Sequence, residues 1–194
     1  MSTTHIRWLN RTAVLMLAVT VLAISLIASG LFDPSPFGQS LWREELPQMT
    51  VVPASRQISW MNNDMPSPPF TARLTAAHKS GEADSGYGLI LGSEERYLAV
   101  AVSPLGYLAI WETATSDSYH LNWQTWPHVN RGTETNEIWL DIDGDQARVR
   151  INREWLWEGE IDTQIYGIGI LGESFGEETV IDFESVEMFA NSSE

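Results

Sequence analysis

The chain has 194 residues and a mass of 21.8 kDa, room for one domain with an accessory segment, which excludes enzyme architectures of several hundred residues. Its 26 Asp and Glu against 11 Lys and Arg give a net charge of -15, which excludes a sequence-independent grip on nucleic-acid phosphates. With no cysteine, disulfide scaffolds, thiolate zinc sites and cysteine nucleophiles are excluded as well.

Residues 12–32, from Thr12 to Phe32, carry no charge and are mostly aliphatic, and roughly 20 such residues in a helix cross a hydrocarbon core about 30 Å thick. Residues 1–11 before this run hold Arg7 and Arg11 and no acid, while everything after it holds all the acids. The positive-inside rule therefore predicts a cytoplasmic N-terminus, a transmembrane helix over 12–32 and an extracytoplasmic C-terminal domain at the cell membrane. Ala28-Ser29-Gly30 offers the small residues of a cleaved signal peptide as the rival reading. The run continues through Leu31 and Phe32, which favours an uncleaved anchor, and either reading exports the domain.

Prolines crowd residues 33 to 69, and at this density they oppose both helix and central strand, which predicts a proline-rich stalk over residues 33–56. Gln57-Ile58-Ser59-Trp60 reads as a first short strand, followed by a turn at Asn62-Asn63-Asp64. From Phe70 onward short apolar alternations are separated by turn residues, with no helical period. The alternation predicts strands near 70–78, 86–92, 96–103, 107–113, 119–124, 136–142, 146–151, 154–159, 165–171 and 179–189. The fold class is all-β: a jelly-roll sandwich of antiparallel strands over residues 57–190, with 191–194 as a tail.

Two hairpins can be worked out in register. Asp143-Gly144 suits a two-residue type I′ turn, which sets Leu140 opposite Ala147 and Ile138 opposite Val149 on the core side. Trp139 then meets Arg148, and Glu137 meets Arg150, on the other side. Ser103-Pro104-Leu105-Gly106 suits a three-residue loop closed by a left-handed glycine, pairing Ser103 with Tyr107. One face of that hairpin carries Leu98, Val100, Val102, Leu108 and Ile110, and the other carries Tyr97, Ala99, Ala101, Tyr107, Ala109 and Trp111. Alanines around aromatic rings leave either a shallow groove with stacking platforms or a face closely covered by another segment.

The order of these strands resembles the concanavalin-A-like lectin and glucanase superfamily, and within it the 3-keto-disaccharide hydrolase-type, laminin-G-like domains. The resemblance is carried by Ser85-Gly86-Tyr87-Gly88-Leu89-Ile90-Leu91, Arg96-Tyr97-Leu98-Ala99-Val100 and Gly106-Tyr107-Leu108-Ala109-Ile110-Trp111. It continues in Asn136-Glu137-Ile138-Trp139-Leu140, Asp143-Gly144 and Val149-Arg150-Ile151-Asn152, and ends in Tyr166-Gly167-Ile168-Gly169-Ile170 and Val180-Ile181-Asp182-Phe183-Glu184-Ser185-Val186. Arg153 stands where the resembling domains place a glycine. The resemblance implies binding of sugars, binding of proteins or cleavage of glycans, and the fold alone does not choose among them.

Catalytic strings are incomplete. Glucan-cleaving relatives place three acids as Glu-x-Asp-x-x-Glu; here Glu160 and Asp162 are followed by Ile165. Gly172-Glu173-Ser174-Phe175-Gly176 matches a nucleophile-elbow string, but a strand pattern follows it and no histidine comes later. Asp141, Asp143, Gly144 and Asp145 read as a hairpin turn, because Asn152 occupies the position where a calcium loop needs Glu. No cofactor is implied, although a calcium site assembled from distant loops is compatible with so acidic a chain. His120 and His128 are isolated in a loop-rich stretch. Trp123 and Trp126 flank a proline turn and either stack on sugar or tuck into the sandwich edge. The sequence therefore points to a non-catalytic module binding carbohydrate through Tyr97, Tyr107 and Trp111, flanked by Trp139 and Arg148 if the two hairpins share a face. The alternatives are a glycan hydrolase and a protein-interaction domain with a membrane-protein partner.

Overall fold

The computed structural model describes residues 3–28, 34–61 and 64–191. The chain divides into two compact units between Ser35 and Pro36. The first contains helix α1 (Thr3–Ala28), which starts well before the predicted span. The hydroxyls of Thr20 and Ser25 donate to the carbonyls of Met16 and Val21, one turn back, at 2.9 and 2.8 Å, so these two hydroxyls are satisfied within the helix. Among the described residues no helix is long and apolar enough to cross a membrane. Residues 29–32 of the predicted span lie outside the described residues.

The second unit is a sandwich of two antiparallel sheets. One sheet holds β1 (Gln39–Glu45), β2 (Met49–Val51), β4 (Phe70–Gly81), β9 (Asn136–Asp143), β10 (Gln146–Ile151), β11 (Glu154–Glu160) and β13 (Thr179–Ala190). The other runs in the order β3 (Arg56–Trp60), β12 (Gly167–Ser174), β5 (Ser85–Gly92), β6 (Tyr97–Val102), β7 (Tyr107–Thr113) and β8 (Asp117–Thr125). All ten strands predicted beyond Phe70 are present. The main core lies between the sheets and is built from alternate residues such as Leu74, Leu89, Val100, Ile110, Leu140, Val149 and Phe183.

The predicted stalk is corrected. Strands β1 and β2 fall inside residues 33–56 and pair with β13, so the sandwich begins at Gln39. The prolines sit at the breaks: Pro47 separates the two strands and Pro53 follows the second, where no ladder hydrogen bond is lost. Asn62 and Asn63 of the predicted turn lie outside the described residues.

The β6–β7 hairpin has the predicted register, with Val102 opposite Leu108, the Ser103 amide bonded to the Tyr107 carbonyl at 2.8 Å and Gly106 at φ 87°. The β9–β10 hairpin is displaced by two residues: Asp143 pairs with Gln146, Val149 with Leu140 and Arg150 with Trp139. Gly144 at φ 64° occupies the first central position of the turn and Asp145 does not share its positive φ, the type II′ pattern. A shift of two keeps every side chain on its predicted face but changes its partner. Arg150 therefore lies over Trp139, 5.9 Å from the ring centroid, in the place assigned to Arg148.

Candidate functional site

The five residues singled out in the sequence do not converge. The β6–β7 and β9–β10 hairpins belong to different sheets, and the main core separates their outer faces. Trp139, 2% exposed, stands on the seven-stranded sheet between Arg73 and Arg150, and its Nε1 donates to Glu137 at 3.2 Å. Arg148 pairs with Glu158 at 2.8 Å and stacks on Trp155. These two side chains therefore cannot flank Tyr97, Tyr107 and Trp111.

Tyr97 and Trp111 share a second apolar cluster on the outer face of the six-stranded sheet, with Ala99, Ala101, Ala109, Ile90 and Leu171. Trp111 is fully buried there. The alanines leave room for large side chains from the sheet edges to fold inward. Trp60 of β3 meets Tyr97 edge-on at 6.1 Å, and Tyr119 and Trp123 of β8 lie against Trp111 at 5.8 and 6.4 Å. Of the two readings of this face, the structure takes the covered one.

Arg56 of β3 completes the cover. Its guanidinium lies 5.0 Å from the Trp111 ring centroid and donates to Asp117 at 2.9 Å and Glu173 at 3.1 Å. Asp117 also accepts from Thr113, which in turn accepts from Trp111 Nε1 at 3.1 Å. Strands β3 and β8 are the two edges of this sheet, which if flat would stand roughly 24 Å apart at a spacing of about 4.8 Å per strand. One ion pair spans them, so the sheet curls over its own outer face. Burial works against the Arg56 charge, but Glu173 and Asp117 outweigh it and its pKa stands above the ordinary value. Burial raises Glu173 against the opposing pull of Arg56.

What stays open is the end of this face. The turns at residues 52–55, 82–84, 103–106 and 175–178 all fall at one end of the sandwich, because β4, β6 and β12 finish there and β5, β7 and β13 start there. A cleft of about 280 Å³ lies among them, lined by Asp84, Ser103, Tyr107, Trp123 and Phe175. Tyr107 is 38% exposed and Phe175 45%. Phe175 stands edge-on to Trp123 at 5.8 Å and 87°. Trp123 rests on Gly86, where a Cβ would lie 2.8 Å from its Cη2, so only glycine lets the indole sit down on β5. A backbone bond ties two of the turns together, the Phe175 amide donating to the Asp84 carbonyl at 3.0 Å, and within its own turn the Asp84 amide donates to the Glu82 carboxylate at 3.0 Å. Amide donors, that of Asp84 first, hold the Glu82 carboxyl below its ordinary pKa. The Ser103 hydroxyl accepts from the Leu105 amide at 3.2 Å. Aromatic walls with a carboxylate and a hydroxyl between them can take the C–H faces of a sugar ring and hydrogen-bond its hydroxyls.

Of the five predicted residues, Tyr107 alone lines this cleft. Asp84, Ser103 and Phe175 come from turns, and turns carry no alternation that would reveal which ones meet in space. The other motifs are structural. Ser174 of the elbow-like string is 2% exposed and donates to the Glu177 carbonyl. Asp141 is buried and accepts from Thr71 at 2.6 Å. The Asp162 amide and the Thr163 hydroxyl donate to Glu112, which also pairs with His120 at 2.9 Å. Among the described residues no group of three or more His, Asp or Glu is placed to hold a metal ion.

No family model and no curated protein matches the chain. Solved structures do. A carbohydrate-binding module, CBM66, from Bacillus subtilis superposes with a TM-score of 0.51 at 9% identity, over 81% of this chain and 91% of its own. A Bacteroides ovatus mixed linkage glucan GH16 protein gives 0.52 at 8% identity, over 73% of this chain and 79% of its own. A protein from a study of endo-acting O-glycanases in the human gut microbiota gives 0.54 at 7% identity, over 74% and 78%. What these structures share with this chain is the fold, a jelly-roll-like sandwich of two antiparallel sheets. None of these matches carries the finer resemblance to 3-keto-disaccharide hydrolases.

Proposed function

We propose that this protein is a membrane-anchored, extracytoplasmic, non-catalytic module that binds carbohydrate in the cleft of Tyr107, Trp123, Phe175, Asp84 and Ser103. The observation that carries the reading is that cleft: three aromatic rings, two of them well exposed, around a carboxylate and a hydroxyl. The company of this fold, which includes a protein named as a carbohydrate-binding module, supports the same ligand class. Glycoside hydrolysis uses two carboxyl groups facing the scissile bond, and the cleft lining supplies Asp84 alone, so binding is preferred over a 3-keto-disaccharide hydrolase reaction. The anchor is supported by the apolar side chains of α1, exposed all round from Val14 to Leu26, and by Arg7 and Arg11 before it.

A glycan array probed with the full chain and with Tyr107→Ala and Phe175→Ala tests the cleft. Retained glycans should lose at least tenfold in affinity, about 1.4 kcal/mol, in each variant. Unchanged binding in both variants, or a blank array with the parent, refutes the assignment. For the anchor, an alkaline wash of membranes from expressing cells should leave the protein in the pellet, and its release into the wash refutes membrane anchoring.

A further inference from the structure

We propose that the cleft takes the end of a glycan chain and not an internal stretch. This rests on the carbohydrate reading above and goes beyond it to the form of the ligand.

A polysaccharide bound along its length needs an open path across the sheet, with successive rings exposed as platforms. Here the centre of the six-stranded sheet offers none. Ile90, Ala99, Ala101, Ala109, Trp111 and Leu171 are all fully buried. Arg56 lies across Trp111 and is tied to Asp117 on the opposite edge and to Glu173. A chain entering from the cleft toward the middle of the face would have to displace a guanidinium held by two carboxylates. That interaction is a charge-assisted one, costly to break where solvent is partly excluded.

The cleft itself is short. At about 280 Å³ the cleft lies at the lower limit of small-molecule sites, roughly 300–1,000 Å³, enough for roughly one or two sugar rings. It is also terminal. Asp84, Ser103 and Phe175 belong to turns at one end of the sandwich, while β13 runs from Thr179 at that end to Ala190, which pairs with Gln39 at the other. The domain therefore presents its cleft at the end opposite to Gln39, the start of its first strand, where a glycan terminus can enter end-on.

Linear and cyclic oligosaccharides of the same sugar and linkage separate the two modes, because the cyclic form has no end. Full-length protein in detergent micelles is titrated calorimetrically with maltose, maltohexaose and cyclomaltohexaose, with inulin-type di- and hexasaccharides and their cyclic hexamer, and with linear and cyclic β-1,2-glucans. For the sugar that binds, the disaccharide and the linear hexasaccharide should agree within about threefold, and the cyclic form should bind at least tenfold more weakly. Equal binding of linear and cyclic forms, or a rise of more than tenfold from disaccharide to hexasaccharide, overturns chain-end recognition and leaves the carbohydrate reading standing. No binding of any linear form overturns both.

Discussion

Replacing Trp111 by Ala separates a binding platform from a packing element. The indole is fully buried, its Nε1 donates to Thr113, and Arg56 covers one face. Truncating a buried Trp to Ala costs about 3–5 kcal/mol. The lost hydrogen bond and the lost cation-π contact, about 1 kcal/mol each, place this site toward the top of that range. With a urea slope of about 2 kcal/mol per molar, the unfolding midpoint of the sandwich should fall by roughly 2 M. Urea unfolding of the full chain, followed by far-UV circular dichroism, measures this directly, and the β signal reports the domain in question. A loss below about 1 kcal/mol, together with abolished glycan binding, would refute the reasoning and return Trp111 to the role of an exposed stacking platform.

Gly86→Ala sets a methyl group against the Trp123 indole, whose far end can swing away, so glycan binding should fall at least fivefold while stability drops by only about 1 kcal/mol; parent-like affinity in the same calorimetric titration would show that Trp123 is not a wall of the site. Arg56→Met strips the cation from Glu173 and Asp117, whose side chains are 13% and 24% exposed, and should cost about 2 kcal/mol at pH 7, below the 3–5 expected of a fully buried pair. Burial already raises the Glu173 pKa and Arg56 is the main influence holding it down, so in the variant it rises further. A carboxyl whose folded pKa is raised favours the folded state as pH falls through that value, so the deficit should narrow from pH 7 toward 4.5, the ordinary Glu value, and a deficit that stays constant across urea titrations in this window contradicts the account. Asn152 and Arg153 form the β10–β11 turn at φ 53° and 73°, and a glycine in place of Arg153 relieves a left-handed side chain at the cost of an exposed pairing with Glu137. Arg153→Gly should therefore raise stability by about 0.5 kcal/mol in thermal unfolding, and a lowered midpoint would show that the turn is held by the arginine's contacts.

The sequence carried the sandwich well, for a physical reason. Alternation in β-strands is a property of single residues against a single boundary, so Leu98, Val100, Val102, Leu108 and Ile110 could be assigned inward without knowing any partner, and all five lie in the main core. Even the two-residue slip at Asp143 left the in and out assignment of Trp139 and Arg150 intact, since strand faces repeat every second residue. The proline-rich segment misled because composition records that a proline breaks a strand but not where the break falls. Pro47 and Pro53 bound β1 and β2 instead of abolishing them.

The candidate site was less legible, because alternation is silent on two questions that decide it. The first is which sheet a hairpin joins. Trp111 and Trp139 both point away from the main core, as their patterns require, yet they stand on opposite sides of the molecule. The second is what lies above an outward face. The alanines at 99, 101 and 109 record only that something large comes close. The large groups are Trp60, Tyr119, Trp123 and Arg56, drawn in from both sheet edges by curvature that no local pattern encodes. Curvature also explains why the residues of the proposed site sit in turns. Once the edges meet over the middle of the face, the rim is what this face leaves open, and the rim of a sandwich is made of the turns that end its strands. Asp84, Ser103 and Phe175 are functional candidates because the centre of the sheet has been filled.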